Sequence, residues 1–518
     1  MSSDEPSQSN AKKRKKKTHT KERHDAYTNR AKVRSNARTE EWMEKIRAGI
    51  HVLKNIPHNK IHLHKLQKDH RRLDQLQELE RTSGVPLTRQ VIDKHFPDWE
   101  WIHEQGVHYG FVERWPEEPK VIMAVSVTAW GKMEPMSAAH IRELLHDVSD
   151  WSDLNYKILN NAASMGPSEA PPVHKQAKKK KKKKKKTQSP MPPSEVVVSP
   201  APTVIPDSAA ESVLPLHPSF HAELTPIEES DDEYDQEVDN GHDLEPDDEE
   251  ARPRHGVDAV VENFQRLGEM NGIGWHLGQE KGKRLVSYAF AKKDQATRER
   301  VKELIPRLPA LASLYRERLL SLFPAVGEGL QHFADQHSVA SVGDVFDGTS
   351  PQRPWANSLT VTKRCFANYQ HRDFDLIDIA FGLWWAGKQV EVNGETRWRI
   401  TDEGDHEKIE GGEFIWAEYG IGVDFARCSG LVEIYWRGKL DFHGTMQSTD
   451  NDGFTRFGTS VQITKKGAAA MNGIWNEESF LASRHHTVDD FEDGSWVRTL
   501  QERVVDAEKQ DKKRRTRK

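Results

Sequence analysis

The sequence predicts an all-β jelly roll, a double-stranded β-helix with a helical buttress, in the C-terminal half of the chain. A small mixed or mainly helical N-terminal region and long disordered segments accompany it. Three observations carry this reading. After Trp355 the apolar residues come in short runs separated by Gly, Asp and Asn turns, which is the spacing of strands. A long apolar-periodic stretch just before them has the repeat of helices. Finally, 35% of the 518 residues are hydrophobic, 30% are charged, and the mean hydropathy is -0.81. That is too polar for one continuous core, so the ordered part is concentrated.

The net charge of -5 conceals blocks of opposite sign, and the blocks say more about partners than the average does. Cys365 and Cys428 cannot build a disulfide framework, and neither sits in a paired metal-binding spacing. A reducing compartment, cytosol or nucleus, is expected. No stretch approaches the roughly 20 apolar residues that cross a bilayer. The first thirty residues also lack the apolar core of a signal peptide, so no membrane partner is expected.

Residues 1–40 read as a disordered basic tail, with Lys12, Lys13, Arg14, Lys15, Lys16 and Lys17 as a nuclear-import signal or phosphate-binding arm. Residues 41–160 read as an accessory globular region. A helix there carries Leu66, Leu73, Leu76 and Leu79, an aromatic stretch runs from His95 to Trp101, and Val121 to Val127 form a buried strand. A last helix around Ala138 to Leu144 is expected to start at Ser137 as its cap. No catalytic constellation stands out in this region. Residues 161–256 form a linker: nine consecutive lysines (178–186), a Pro/Ser/Val-rich stretch, then an acidic run from Glu228 to Glu250. The lysines can follow nucleic-acid phosphates, and the acidic run can mask them.

Residues 257–485 are expected to hold the main domain, and residues 486–518 a basic C-terminal tail. The domain opens with a helix from Ala259 to Leu267, then Gly272-Ile273-Gly274-Trp275 and a strand near Leu285 to Ala289. A helical segment from Ala296 to Leu322 is interrupted by Pro306 and Pro309. Strands are then expected at Leu359–Val361, Leu376–Trp385, Val390–Val392, Trp398–Ile400, Phe414–Trp416, Ile421–Phe425, Leu431–Trp436 and Phe457–Thr464. Phe264, Leu304, Leu314, Leu319 and Phe323 would pack the helices on the outer sheet.

Within these strands stands His371-Arg372-Asp373. Residues i and i+2 of a strand face the same side, so the imidazole and the carboxylate can converge on one ion. His443, in Phe442-His443-Gly444-Thr445, follows the strand Leu431–Trp436 and its Arg437-Gly438-Lys439 turn. Either histidine could instead be a satisfied core residue. Together, two histidines and one carboxylate leave three positions open, the geometry of non-heme Fe(II) oxygenases. Arg456 opens the last strand, and alternation sets it with Gly458, Ser460 and Gln462 on one face, opposite Phe457 and Val461. A guanidinium in such a row needs a carboxylate partner, and the distal carboxylate of 2-oxoglutarate would supply a bidentate one.

Here the chain resembles the Tet/JBP group of 2-oxoglutarate oxygenases, in particular its fungal, transposon-associated branch. The resemblance covers roughly residues 257–485. It rests on ordered features: Gly274-Trp275, Asn368 before His371-x-Asp373, Asp375 and Asp378, Gly411-Gly412-Glu413-Phe414 with Tyr419, Gly430 leading to His443-Gly444-Thr445, and Arg456. It implies that His371, Asp373 and His443 bind Fe(II), that Arg456 binds 2-oxoglutarate and that Asn368 assists. Gly458 stands where many relatives carry Ser. The reaction so implied consumes 2-oxoglutarate and O2 and oxidises the methyl group of 5-methylcytosine in DNA, in the nucleus, on a base flipped into the pocket. Trp384, Trp385, Trp416 and Tyr419 become pocket-wall candidates. The motifs specify the oxidant and cosubstrate but not the substrate. The same chemistry on RNA, protein or a small molecule is the alternative, with an inactive oxygenase-fold nucleic-acid-binding protein as the other.

Overall fold

The structure is a computed structural model that describes residues 36–48, 57–159, 267–470 and 497–516, apart from 46, 114–118, 279–284, 293, 346–352, 393, 401–404 and 469. Most of the expected basic tail at 1–40, the whole 161–256 linker and residues 259–266 of the expected helix, Phe264 among them, lie outside the described residues.

Apolar runs make a set of 18 strands among the described residues, of which 16 join one large sheet while Ile409–Gly411 and Ser448–Asp450 pair with each other. The first five are β1 (Ile61–Lys65), β2 (Glu100–Ile102), β3 (Gly106–Val112), β4 (Lys120–Thr128) and β5 (Lys157–Leu159). Next come β6 (Leu267–Leu277), β7 (Leu285–Ser287), β8 (Ser358–His371), β9 (Ile379–Val392) and β10 (Glu395–Ile400). The set ends with β11 (Ile409–Gly411), β12 (Phe414–Trp416), β13 (Ile421–Val423), β14 (Leu431–Arg437), β15 (His443–Thr445), β16 (Ser448–Asp450), β17 (Phe454–Gln462) and β18 (Val497–Arg498). The main path runs β1-β3-β4-β14-β9-β17-β8-β15-β12-β13-β2, a curled mixed sheet of the jelly-roll oxygenase kind.

Strand parity sorts the two faces. On β9, Phe381, Leu383 and Trp385 join one core cluster with the helices, while Ala380 and Trp384 join a second cluster on the other face. The helical buttress consists of α4 (Gln295–Leu304), α5 (Leu308–Leu322) and α6 (Pro324–Gln336), here numbered after α1 (His70–Ser83), α2 (Arg89–His95) and α3 (Pro135–Leu154). Pro306 and Pro309 do interrupt the helical segment. Each sits in the first turn of the element that follows, where the missing N–H costs nothing. Leu304, Leu314, Leu319 and Phe323 are buried against the sheet as expected. Tyr315 donates to Thr459 Oγ1 at 2.9 Å, and Arg318 makes a bidentate pair with the buried Glu433 at 2.7 and 2.6 Å.

The region 41–160 is not a separate accessory unit. β4 pairs antiparallel with β14, from Thr128 opposite Leu431 to Met123 opposite Trp436, and β2 runs parallel to β13. The reason is legible in β4 itself: Val121 to Val127 are all buried, so both of its faces are covered, which an edge strand of a small domain would not achieve. Helix α3 is longer than expected, and its cap is Glu134, whose carboxylate accepts from the Met136 and Ser137 N–H groups; Ser137 lies inside the helix. The C-terminal segment is also ordered. Helix α7 (Leu500–Arg515), capped by Thr499, buries Leu500, Val504 and Ala507, and Arg298 and Lys302 of α4 bind Asp511 and Glu508 at 2.6 and 2.7 Å. No helix among the described residues is long and apolar enough to cross a membrane.

Candidate metal centre

The ladder between β8 and β15 sets His371 directly opposite His443, and their rings lie 4.5 Å apart. Asp373 follows just past the end of β8, in the connection to β9, where its N–H donates to Gly438 O at 2.9 Å. A side chain at Gly438 would run into the Asp373 carboxylate, so the turn after β14 has room only for glycine. Asp373 Oδ1 lies 3.5 Å from His371 Nε2, and its Oδ2 lies 3.4 Å from His443 Nε2. The three ligand atoms are all within 4.8 Å of one another. Ligands of a common ion at bonds of about 2 Å stand about 3 Å apart, so small adjustments suffice.

Both imidazoles are oriented in the same way. His371 Nδ1 is 2.9 Å from Tyr369 O, and His443 Nδ1 is 3.1 Å from Asp441 O. With each Nδ1–H given to a carbonyl, each Nε2 lone pair faces Asp373, which is how a protein pre-sets histidine for a metal. Burial works against charge on Asp373, but His443 and His371 outweigh it and hold the carboxyl well below the usual range. Burial and the neighbouring His443 push His371 down and so keep it neutral. Burial opposes protonation of His443, yet Asp373 raises it, and a bound cation would displace that proton. The donor set therefore fits a divalent iron.

Asn368 sits opposite Thr445, with Nδ2 3.3 Å from His371 Nε2 and a buried Oδ1 that has no partner. Arg456 lies on the same face of the sheet as Trp384, as its strand parity predicts. Its guanidinium donates to Gly411 O (2.5 Å), Ile409 O (3.0 Å) and His406 O (3.4 Å) and lies 5.0 Å over the Phe425 ring. Among the described residues no carboxylate is paired with it within 4.0 Å. Burial lowers its pKa to about 10, and the Glu413 carboxyl that attracts it is itself pushed up to about 7 by burial. Aromatic contacts link the two places: His443 to Phe414 (5.6 Å), Phe414 to Trp384 (5.5 Å) and Trp384 to Phe425 (5.7 Å).

One of the expected pocket walls, Trp385, lies in the other core, while Tyr419 packs in the cluster of Trp384 and Phe414. Trp385 stacks on Phe457 at 5.3 Å in the helix-side core, and Tyr419 gives its hydroxyl to Asp441 at 2.7 Å. That contact belongs to a support that motif reading passed over. Arg437 binds Asp441 at 2.6 and 2.7 Å, and the Asp441 backbone carbonyl in turn holds His443. A second support comes from α1: Glu80 Oε2 accepts from Gln370 N at 3.1 Å, beside His371. Its signal was present in the sequence, since Glu80 continues the buried stripe of Leu73 and Leu76 where an apolar residue is expected. Glu418, fully buried, gathers Lys68 (2.9 Å), His70 (3.4 Å) and Arg372 (3.8 Å).

With this geometry in place, comparison with known proteins adds one match: residues 252–448 fit the Tet-like 2OG-Fe(II) oxygenase superfamily. That chemistry takes Fe(II), 2-oxoglutarate and O2. No curated protein matches the chain.

Proposed function

We propose that this chain, whose residues 252–448 match the Tet-like 2OG-Fe(II) oxygenase superfamily, oxidises the methyl group of 5-methylcytosine in nuclear DNA. The observation that carries the iron assignment is the convergence of His371 Nε2, His443 Nε2 and Asp373 on one point, with both Nδ1 atoms anchored on carbonyls. When bound, the iron supplies the redox chemistry: 2-oxoglutarate and O2 become succinate and CO2, and one oxygen atom enters a substrate C–H bond. Arg456 holds the distal carboxylate of 2-oxoglutarate. A buried cation whose hydrogen bonds all go to backbone carbonyls calls for an anion, and a carboxylate meets its fork with two parallel hydrogen bonds. Asn368 offers its unpartnered Oδ1 and its amide beside His371 to the cosubstrate or to water.

Support for DNA as substrate comes from the family match and from the lysine and arginine runs at 12–17 and 178–186, which suit phosphates and nuclear import. The test is incubation of the full chain with Fe(II), 2-oxoglutarate and methylated duplex DNA, followed by mass spectrometry of nucleosides. Loss of 5-methylcytosine matched by oxidised pyrimidine is expected. Succinate formed only with RNA, a peptide or a small molecule would move the substrate and keep the chemistry; absence of succinate under all conditions would overturn the oxygenase reading.

A further inference from the structure

We propose that Phe374 is the residue that enters the base stack of DNA beside the extruded methylcytosine, an inference that rests on the DNA reading above. Phe374 is 83% exposed, the most exposed large hydrophobic side chain among the described residues, yet it directly follows the metal-site residue Asp373. The segment that presents it is held on both sides. Asp373 N bonds to Gly438 O (2.9 Å), Asp375 forms a bridge with Thr464, and Leu376 N bonds to Ile463 O (3.0 Å). The ring is therefore displayed by a fixed support.

Its surroundings have the chemistry of a nucleic-acid contact. From 371 to 375 exposure alternates, with His371, Asp373 and Asp375 turned inward and Arg372 and Phe374 turned out. Arg372 is 44% exposed and braced on the Phe442 ring at 4.3 Å. Together with Lys68 it shares a single buried carboxylate, Glu418, with His70 beside them. Lys68 also lies 4.0 Å from Asp441, which Arg437 binds, so three permanent cations face two carboxylates and leave positive charge at the rim, suited to the phosphates that flank a flipped nucleotide. A single exposed phenylalanine is ordinary on a protein surface. An aromatic ring with cations next to it, one residue from a metal ligand, matches the need to fill the gap a flipped base leaves.

The experiment compares the full chain with Phe374→Ala and Phe374→Trp on two substrates: a fully paired duplex with one 5-methylcytosine, and the same methylated strand alone. Only the duplex requires a base to be taken out of the stack. The expected result is that Phe374→Ala lowers kcat/KM on the duplex by roughly tenfold more than on the single strand, in line with the worth of one aromatic–base stack. Phe374→Trp should restore most of the loss. Equal losses on both substrates, or no loss on the duplex, would overturn the assignment while leaving the DNA reading intact. If the unaltered chain oxidises neither substrate, the DNA reading fails and Phe374 falls with it.

Discussion

Residues 57–159 and 267–464 are made of the same materials, short apolar strands and amphipathic helices, but they serve the site differently. The later stretch contributes His371, Asp373, His443 and Arg456. The earlier one contributes none of these and still completes their setting: β4 covers an edge of β14, β2 covers an edge of β13, and α1 places Glu80 under Gln370. Chemistry can thus be concentrated in one stretch of sequence while stability is shared by two. The family match, residues 252–448, spans His371, Asp373 and His443 and ends before Arg456.

Removing the earlier stretch is the strongest way to break this comparison. A chain that starts near Val257 exposes the edges of β14 and β13 together with the apolar face that held Met123, Val125 and Val127. It should show no cooperative thermal unfolding by circular dichroism. A soluble, active short form would make residues 57–159 dispensable, as reading the sequence into domains suggests.

The opposite behaviour is expected at the triad. Asp373→Ala should abolish succinate formation and weaken Fe(II) binding by more than about 100-fold, beyond what loss of an outer partner costs, while unfolding without metal stays cooperative at a somewhat lower melting temperature. The fall would follow from losing a carboxylate that His443 and His371 stabilise in the fold. Calorimetric iron titration checks the affinity, and iron binding unchanged in the variant would reassign the ligand.

Arg456→Ala should raise the 2-oxoglutarate KM by roughly 100-fold, the order expected for a buried charge-assisted pair, with iron affinity kept within a few-fold. An unaltered KM would move the anchor to another cation.

The smallest effect sharpens the earlier stretch's role. Burial raises the Glu80 carboxyl from the ordinary 4.5 to about 8, with the Gln370 N–H bond opposing the rise. Between those values the folded chain binds more protons than the unfolded one, so stability falls as pH rises from about 4.5 to 8, and the full penalty is present above that. Glu80→Gln keeps an acceptor for Gln370 and removes the charge. It should stabilise the protein by about a few kcal/mol at pH 8 and by little at pH 5. Denaturant melts at the two pH values measure this, and an equal change at both would rule out the charge as the cause.

By itself the sequence determined the local facts. His371 and Asp373 turn inward together because the chain keeps its alternation just past the end of β8, and Arg456 shares a face with Gly458 by strand parity. Pro306 and Pro309 break the helical run because proline lacks the N–H a helix interior needs. Glycine at 438 could be read but not explained until Asp373 was seen against it. Only the tertiary structure decided what depends on pairing between distant segments: that His443 faces His371 across a ladder, that Asp441 and Arg437 stand behind His443, and that β4 belongs to the sheet of the metal centre. A buried strand looks the same from its own residues whichever neighbour covers it. Hydrogen bonds along its edges choose the neighbour, and those partners lie hundreds of residues away.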